Sequence, residues 1–160
     1  MHLSVQRARA PKANVSDPRS EKLLGLLGPY PKSIPSTASV ITGPTFFNEY
    51  HHYDRHLEFM RWLVKRFPNQ AETIVAGHSE QGRPITGIHI WGSAGKGRRP
   101  AVIFHGTAHA REWISTMTNQ YFSWHLLSSY GYGLTKAFVD KYDFYIFPVV
   151  NPDGKFLGLQ

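Results

Sequence analysis

The run PAVIFHGTAHAREWIS, from Pro100 to Ser115, constrains the fold more than any other stretch, because it asks for a strand, a tight turn and a helix in immediate succession. Val102 and Phe104 alternate as the apolar positions of a strand do, and Gly106 follows where the backbone can turn sharply. Trp113, Met117, Tyr121 and Trp124 then recur at spacings of four, four and three. That is one face of a 3.6-residue period, and it predicts a helix over 113–129 with these four residues as its apolar face. His109 and Glu112 stand at the junction, beside Arg111. On a first helical turn, side chains three apart share a face, so an imidazole and a carboxylate could converge on one ion. The junction also falls at the carboxyl end of a strand, the edge where open α/β sheets build ligand sites.

A catalytic zinc takes about three protein ligands and leaves one position for water, and two histidines with a glutamate form a known set. The pair at 109 and 112 therefore needs another histidine. His105 is a second candidate, but the strand-to-loop path from 105 to 109 does not place the two on one helical face. It is read as packing or hydrogen-bonding near the site. His52 and His56, in HHYDRH, lack the glutamate of a His-Glu-x-x-His pattern and read as a polar helix start among tyrosines. The chain has no cysteine, which excludes a thiolate metal site and a disulfide framework.

The rest of the chain frames this junction. From Met1 to about Pro44 the sequence is rich in Pro, Ser, Lys and Arg without periodicity, which predicts a linker-like segment over 1–44 ahead of a domain over 45–160. The start, MHLSVQRARAPK, carries no apolar leader run, and no stretch is long and apolar enough to span a bilayer, so no membrane partner is expected. The formal charge is +7, but six of the eighteen basic residues lie in the first 32 positions, so the excess reads as a basic tail and no nucleic-acid partner is expected. A helix is expected to open at Asn48 or Glu49 and to bury Tyr50, Tyr53, Leu57, Met60, Val64 and Phe67 before Pro68 ends it. Strands follow near 72–77 and 84–91. The loop between them, GHSEQGR, approaches the Gly-x-Ser-x-Gly elbow of serine hydrolases, but Gln81 replaces the second glycine and a β-rich run follows, so Ser79 is not read as a nucleophile. GSAGKGRR at 92–99 reads as a basic hairpin turn. After GYG at 131–133 come a short helix over 134–142 and a nearly continuous apolar strand, DFYIFPVV, over 143–150. NPDG then turns out of it, with Asn151 and Asp153 expected to bond backbone amides of the turn. Strands alternating with helices predict an α/β fold, the first two strands antiparallel and the later ones parallel.

The run Pro100 to Ser115 resembles the first zinc signature of the carboxypeptidase A/B family of metallocarboxypeptidases, most like its fungal members, and NPDG at 151–154 resembles a second family landmark. The similarity runs from about Gly43 to Gly154 and takes in GHSEQGR and DKYDFYIFPVVNPDG. The resemblance implies a mixed central β-sheet with helices on both faces, truncated to about its first half. It implies zinc as cofactor, with His109 and Glu112 as metal ligands and Arg111 as a substrate contact to a carbonyl or carboxylate. It implies peptide or protein C-termini as substrate, hydrolysed in a secreted or vacuolar enzyme. The third ligand, the general-base glutamate and the groups that grip the terminal carboxylate belong to the later half of that family's domain, so this chain is expected to be inactive as it stands. The alternative is a non-catalytic binding or regulatory module that keeps part of the fold. The resemblance breaks at Lys155. Because Gly154-Lys155-Phe156 can be encoded with GTAAGT, residues 155–160 are read as translated intron, and the strand over 143–150 is expected to be left as an exposed apolar edge.

Overall fold

The computed structural model describes residues 43–157, so all but the last two residues of the expected linker-like segment over 1–44 lie outside the described residues. A 3-10 turn over Pro44–Asn48 leads into helix α1 (Tyr53–Arg66), followed by strands β1 (Ala71–His78), β2 (Pro84–Ile90) and β3 (Ala101–His105). Helices α2 (Trp113–Ser128) and α3 (Gly133–Lys141) carry the chain to strand β4 (Asp143–Phe147), and helix α4 (Pro152–Leu157) ends the described part. The four strands form one mixed sheet in the order β1-β2-β4-β3. β1 and β2 are antiparallel through the loop 79–83, β4 is antiparallel to β2, and β3 is parallel to β4, with Ala101 opposite Asp143 and His105 opposite Phe147. The parallel pair needs a long crossover, which α2 and α3 supply. No helix among the described residues is long and apolar enough to cross a membrane.

This order corrects one expectation. The apolar strand beginning at Asp143 is internal, with β2 on one side and β3 on the other, and it stops at Phe147 instead of reaching 150. The edges are β1 and β3, and on β3 Ile103 is 65% exposed and Phe104 39%. An apolar run showed that β4 would be covered on its faces, but which strand takes the edge depends on pairing order.

Ile88 and Ile90 of β2 stand opposite Ile146 and Phe144 of β4, so all four share one sheet face. They meet Phe59 and Leu63 of α1, Met117, Leu126 and Leu127 of α2, and Val139 of α3 in a single core cluster. Gly87, one step along β2, has to be glycine, because a Cβ there would lie 2.5 Å from the Phe147 ring and 2.7 Å from the Ile146 carbonyl oxygen.

Two helix expectations are corrected as well. α1 opens at Tyr53, since His52 is extended (φ −67°, ψ 160°) and Tyr50 is exposed. It buries Tyr53, His56, Phe59, Met60 and Leu63, and the stacked ring of Phe46 from the 3-10 turn covers Phe59. The inward face of α2 is not the aromatic one. Thr116, Met117, Asn119, Gln120, Ser123, Leu126 and Leu127 are buried, whereas Tyr121 is 49% exposed and packs with Phe47 and Trp124. Small polar side chains can go inward here because each finds a local or cross-helix partner. Ser123 donates to the Asn119 carbonyl and Asn119 to that of Ser115, while the Gln120 amide donates to the backbone carbonyl of His56.

The α1–α2 contact is thus centred on a polar pair. His56 is fully buried, its Nδ1 2.8 Å from Gln120 Oε1 and its Nε2 3.0 Å from the His51 carbonyl oxygen, so it belongs to the helix interface and not to a polar helix start. Burial pulls its pKa from 6.5 to about 4, against the hydrogen bond to Gln120 and helped by the Lys155 charge. The unfolded chain therefore binds more protons between about pH 4 and 6.5, and this contribution to stability is full above that window and lost as pH falls through it. Urea unfolding should show a loss of about 2 kcal/mol between pH 7 and pH 4.5 that disappears in His56→Gln. Equal pH dependence in both proteins would show that His56 does not carry the effect.

Candidate metal centre

The parallel ladder between β3 and β4 continues past both strands. Gly106 donates its N–H to the Phe147 carbonyl and accepts from Val150 N, both at 3.0 Å. A side chain is impossible at 106, since a Cβ would meet Asn119 Nδ2 at 2.6 Å, the Ser115 carbonyl oxygen at 2.9 Å and that of Pro148 at 3.0 Å. Thr107 then adopts φ +52°, a left-handed conformation that costs a β-branched residue about 1–2 kcal/mol. Its neighbours hold it there. Thr107 N donates to Ser115 Oγ at 2.7 Å, its hydroxyl bonds that of Thr116, and its carbonyl accepts from Asn151 N at 3.2 Å.

This pinned backbone presents His109, Arg111 and Glu112 in the turn ahead of α2, not on its first turn. Glu112 is the N-cap residue (φ −84°, ψ 57°), and its N–H donates to the His109 carbonyl at 3.1 Å. The fold brings the two side chains together, with His109 Nδ1 2.8 Å from Glu112 Oε1. Both remain accessible, at 76% and 49% of their side-chain surface. Two donors on one tetrahedral zinc stand about 3.3 Å apart, given bonds of about 2.0–2.1 Å. The observed pair needs only a small opening to span an ion. Arg111 points elsewhere: it lines a cleft of about 400 Å³ together with Tyr50, Trp113 and Ile114.

Among the described residues no group of three or more His, Cys, Asp or Glu side chains is placed to hold a metal. His105 ends β3 exposed to solvent, so the expectation that it packs near the site does not hold. His52 is exposed, its ring 6.3 Å from that of Trp113.

NPDG does more than turn the chain. Asn151 precedes α4, accepts the N–H of Gly154 at 3.0 Å and donates from Nδ2 to the Ala108 carbonyl at 3.2 Å, so it ties α4 to the loop that carries His109. Gly154 lies so close to Ala110 that a Cβ on it would be 2.7 Å from that of Ala110. Asp153 does not bond an amide of its own turn as expected. It reaches the β1–β2 loop, accepting from Ser79 Oγ at 2.8 Å, Arg83 Nη1 at 2.7 Å and Gln81 N at 3.1 Å. Partial burial pushes the Asp153 carboxyl up, but these donors outweigh it and hold the pKa below the usual carboxylate value. Ser79, engaged with a carboxylate and with Arg83 N, is a structural hydroxyl.

The zinc carboxypeptidase family model matches residues 56–160. The chain belongs to the zinc carboxypeptidase family. A metallocarboxypeptidase A-like protein of Trichophyton verrucosum is 49% identical over 110 residues, which are 69% of this chain and 26% of that protein. Among solved structures, carboxypeptidase A from Helicoverpa armigera is 27% identical with a TM-score of 0.61, over 68% of this chain and 26% of that one. Thrombin activatable fibrinolysis inhibitor is 25% identical with a TM-score of 0.67, over 76% and 31%. The chain thus spans about a quarter of the length of the curated relatives it matches.

Within this zinc carboxypeptidase frame one residue stands out that sequence reasoning noted only as a break in resemblance. Lys155 is 1% exposed, and its Nζ is the one buried side-chain polar atom without a hydrogen-bond partner among the described residues. It sits 3.5 Å from the centroid of the Trp113 ring. A cation–π contact offsets part of the cost of taking an ammonium out of water, not all of it. Burial accordingly draws the pKa from 10.5 down to about 8. The unfolded chain binds more protons between about pH 8 and 10.5, so stability rises with pH across that window. Lys155→Met should be more stable than the parent by about 1–2 kcal/mol at pH 7, and the gap should close by pH 10. Equal stability at pH 7 would mean that the ammonium carries no net cost.

Proposed function

We propose that His109 and Glu112 are two of the protein ligands of the zinc in a metallocarboxypeptidase, and that Arg111 contacts a carbonyl or carboxylate of the peptide substrate. The observation that carries this is the 2.8 Å approach of His109 Nδ1 to Glu112 Oε1 on a loop pinned at the carboxyl end of β3. An imidazole and a carboxylate are donors that zinc takes, and the relatives' names support both metal and reaction. When bound, zinc polarises the scissile carbonyl and acidifies its water. The chain's own part is to fix the two donors. Thr107, Asn151 and the close packing at Gly106 and Gly154 hold the loop, and the guanidinium of Arg111 offers a planar pair of donors to an oxygen of the substrate. The described residues place no third ligand and no general base beside the pair, so removal of C-terminal residues from peptides is proposed for the whole enzyme, with this chain contributing two metal positions and a substrate contact.

Calorimetric titration of the chain with zinc tests the assignment. Two donors without a third should give weak binding that His109→Ala Glu112→Ala abolishes, and Gly154→Ala should weaken it by about tenfold by displacing Ala110. Zinc binding that survives the double variant would overturn the reading and favour a non-catalytic module. Tight one-to-one binding lost in the variant would reveal a third donor, with His105 the first to mutate.

A further inference from the structure

The two members of the metal pair are held from different elements. Glu112 is held from α2, whose Ser115 hydroxyl donates to the Glu112 carbonyl at 2.7 Å. His109 is held from α4, through the residues on either side of it. Asn151, just before α4, donates from Nδ2 to the Ala108 carbonyl at 3.2 Å, and Gly154 lies so close to Ala110 that it has no room for a side chain. The bond from Glu112 N to the His109 carbonyl, 3.1 Å, ties the two backbones at one point and leaves the orientation of the turn to these outer contacts. Where α4 sits therefore sets where the His109 ring stands against the Glu112 carboxylate. α4 in turn is anchored to a loop some 70 residues upstream. In its first turn, Asp153 accepts from Ser79 Oγ at 2.8 Å, Arg83 Nη1 at 2.7 Å and Gln81 N at 3.1 Å. The Asp153 side chain is 16% exposed, so its pairing is screened less than that of an ion pair in open water. The receiving loop is itself closed, since Ser79 Oγ accepts from Arg83 N and the Ser79 carbonyl from Gly82 N, both at 3.0 Å. Three donors on one closed loop fix the rotation of α4 as well as its position, which a single ion pair would not do.

We propose that Asp153 is a positioning residue for the metal pair: by clamping α4 to the β1–β2 loop it fixes, through Asn151 and Gly154, the orientation of His109 relative to Glu112. This deepens the preceding reading, on which it rests for the role of the pair as zinc ligands. Removing a group that orients a ligand from behind costs about 10–100-fold in metal affinity, and Asp153 stands one contact farther out, so a smaller loss of about fivefold is expected. Because Ser79 acts on the site only through Asp153, changes at the two positions should couple and not add.

The test uses the 160-residue chain. Zinc affinity is measured by calorimetry under conditions where each variant is folded, urea unfolding is run alongside, and the metal-free chain is followed by amide NMR. Asp153→Ala should weaken zinc binding about fivefold. In the metal-free chain it should shift the amide signals of Ala108, His109 and Ala110 and leave those of Leu126 and Leu127, at the far end of α2, in place. Asp153→Asn keeps an acceptor for Ser79 and Gln81 and should return the affinity to within about twofold of the parent. Ser79→Ala, the milder break on the other side of the clamp, should weaken binding about twofold and have no further effect in the Asp153→Ala background. A lowered urea midpoint in Asp153→Ala with unchanged zinc affinity and unchanged signals at 108–110 overturns the proposal, because a residue that only stabilises the fold would give that result. Full additivity of Asp153→Ala and Ser79→Ala overturns it too. Zinc binding that survives His109→Ala Glu112→Ala would defeat the zinc assignment alone, since the metal-free amide signals decide separately whether the clamp reaches the site loop.

Discussion

The described structure depends on how the backbone leaving β3 satisfies its polar groups in a place too crowded for water. Gly106 and Thr107 pass between β4 and the start of α2, and their amides and carbonyls end on Phe147, Val150, Asn151 and Ser115. An unpaired backbone group there would cost as much as a lost hydrogen bond, so the path of the loop is dictated by where partners stand. The left-handed Thr107 goes with this path: in that conformation its N–H reaches Ser115 while its hydroxyl reaches Thr116. Backbone strain is retained because the surrounding bonds over-determine it, and the result is a loop that presents His109 and Glu112 on one side.

The helices behind the loop are held by a different kind of contact. α2 could have packed on α1 through its aromatic residues, yet it turns Thr116, Gln120 and Ser123 inward. The His56–Gln120 pair explains the orientation, since each partner buried alone would leave a polar group unsatisfied, and together they fix the rotation of α2 about its axis. That rotation carries Ser115 and Thr116 to the loop. Interface and site are thereby joined through Gln120 and the first turn of α2, whose Thr116 hydroxyl meets that of Thr107.

α4 joins the parts of the chain that lie farthest apart. Asn151 holds the site loop and Asp153 holds the β1–β2 loop through Ser79, Gln81 and Arg83, so one short helix start ties two loops together. Lys155 in the same helix is its one discordant residue, an ammonium buried against Trp113 with no hydrogen-bond partner among the described residues. The position of α4 is over-determined by Asn151 just before it and Asp153 in its first turn, which is why the structure can carry that cost.

The sequence by itself determined the strand, turn and helix around Gly106, the nearness of His109 to Glu112, the mixed α/β character and the family, because these rest on local periodicity, a glycine with no room for a Cβ and a dense motif. It was misread where burial follows hydrogen bonding as well as hydropathy: the inward face of α2 mixes Thr116, Asn119, Gln120 and Ser123 with Met117, Leu126 and Leu127, and of the residues that apolar periodicity selected only Met117 is fully buried. It was silent where partners are distant in the chain, since Asp153 and Ser79 are 74 residues apart and nothing local marks either for the other. Which strands become the edges, the exposure of His105 to solvent, and the burial of Lys155 against Trp113 were decided only by tertiary structure, because each depends on which surfaces meet once all the elements have packed.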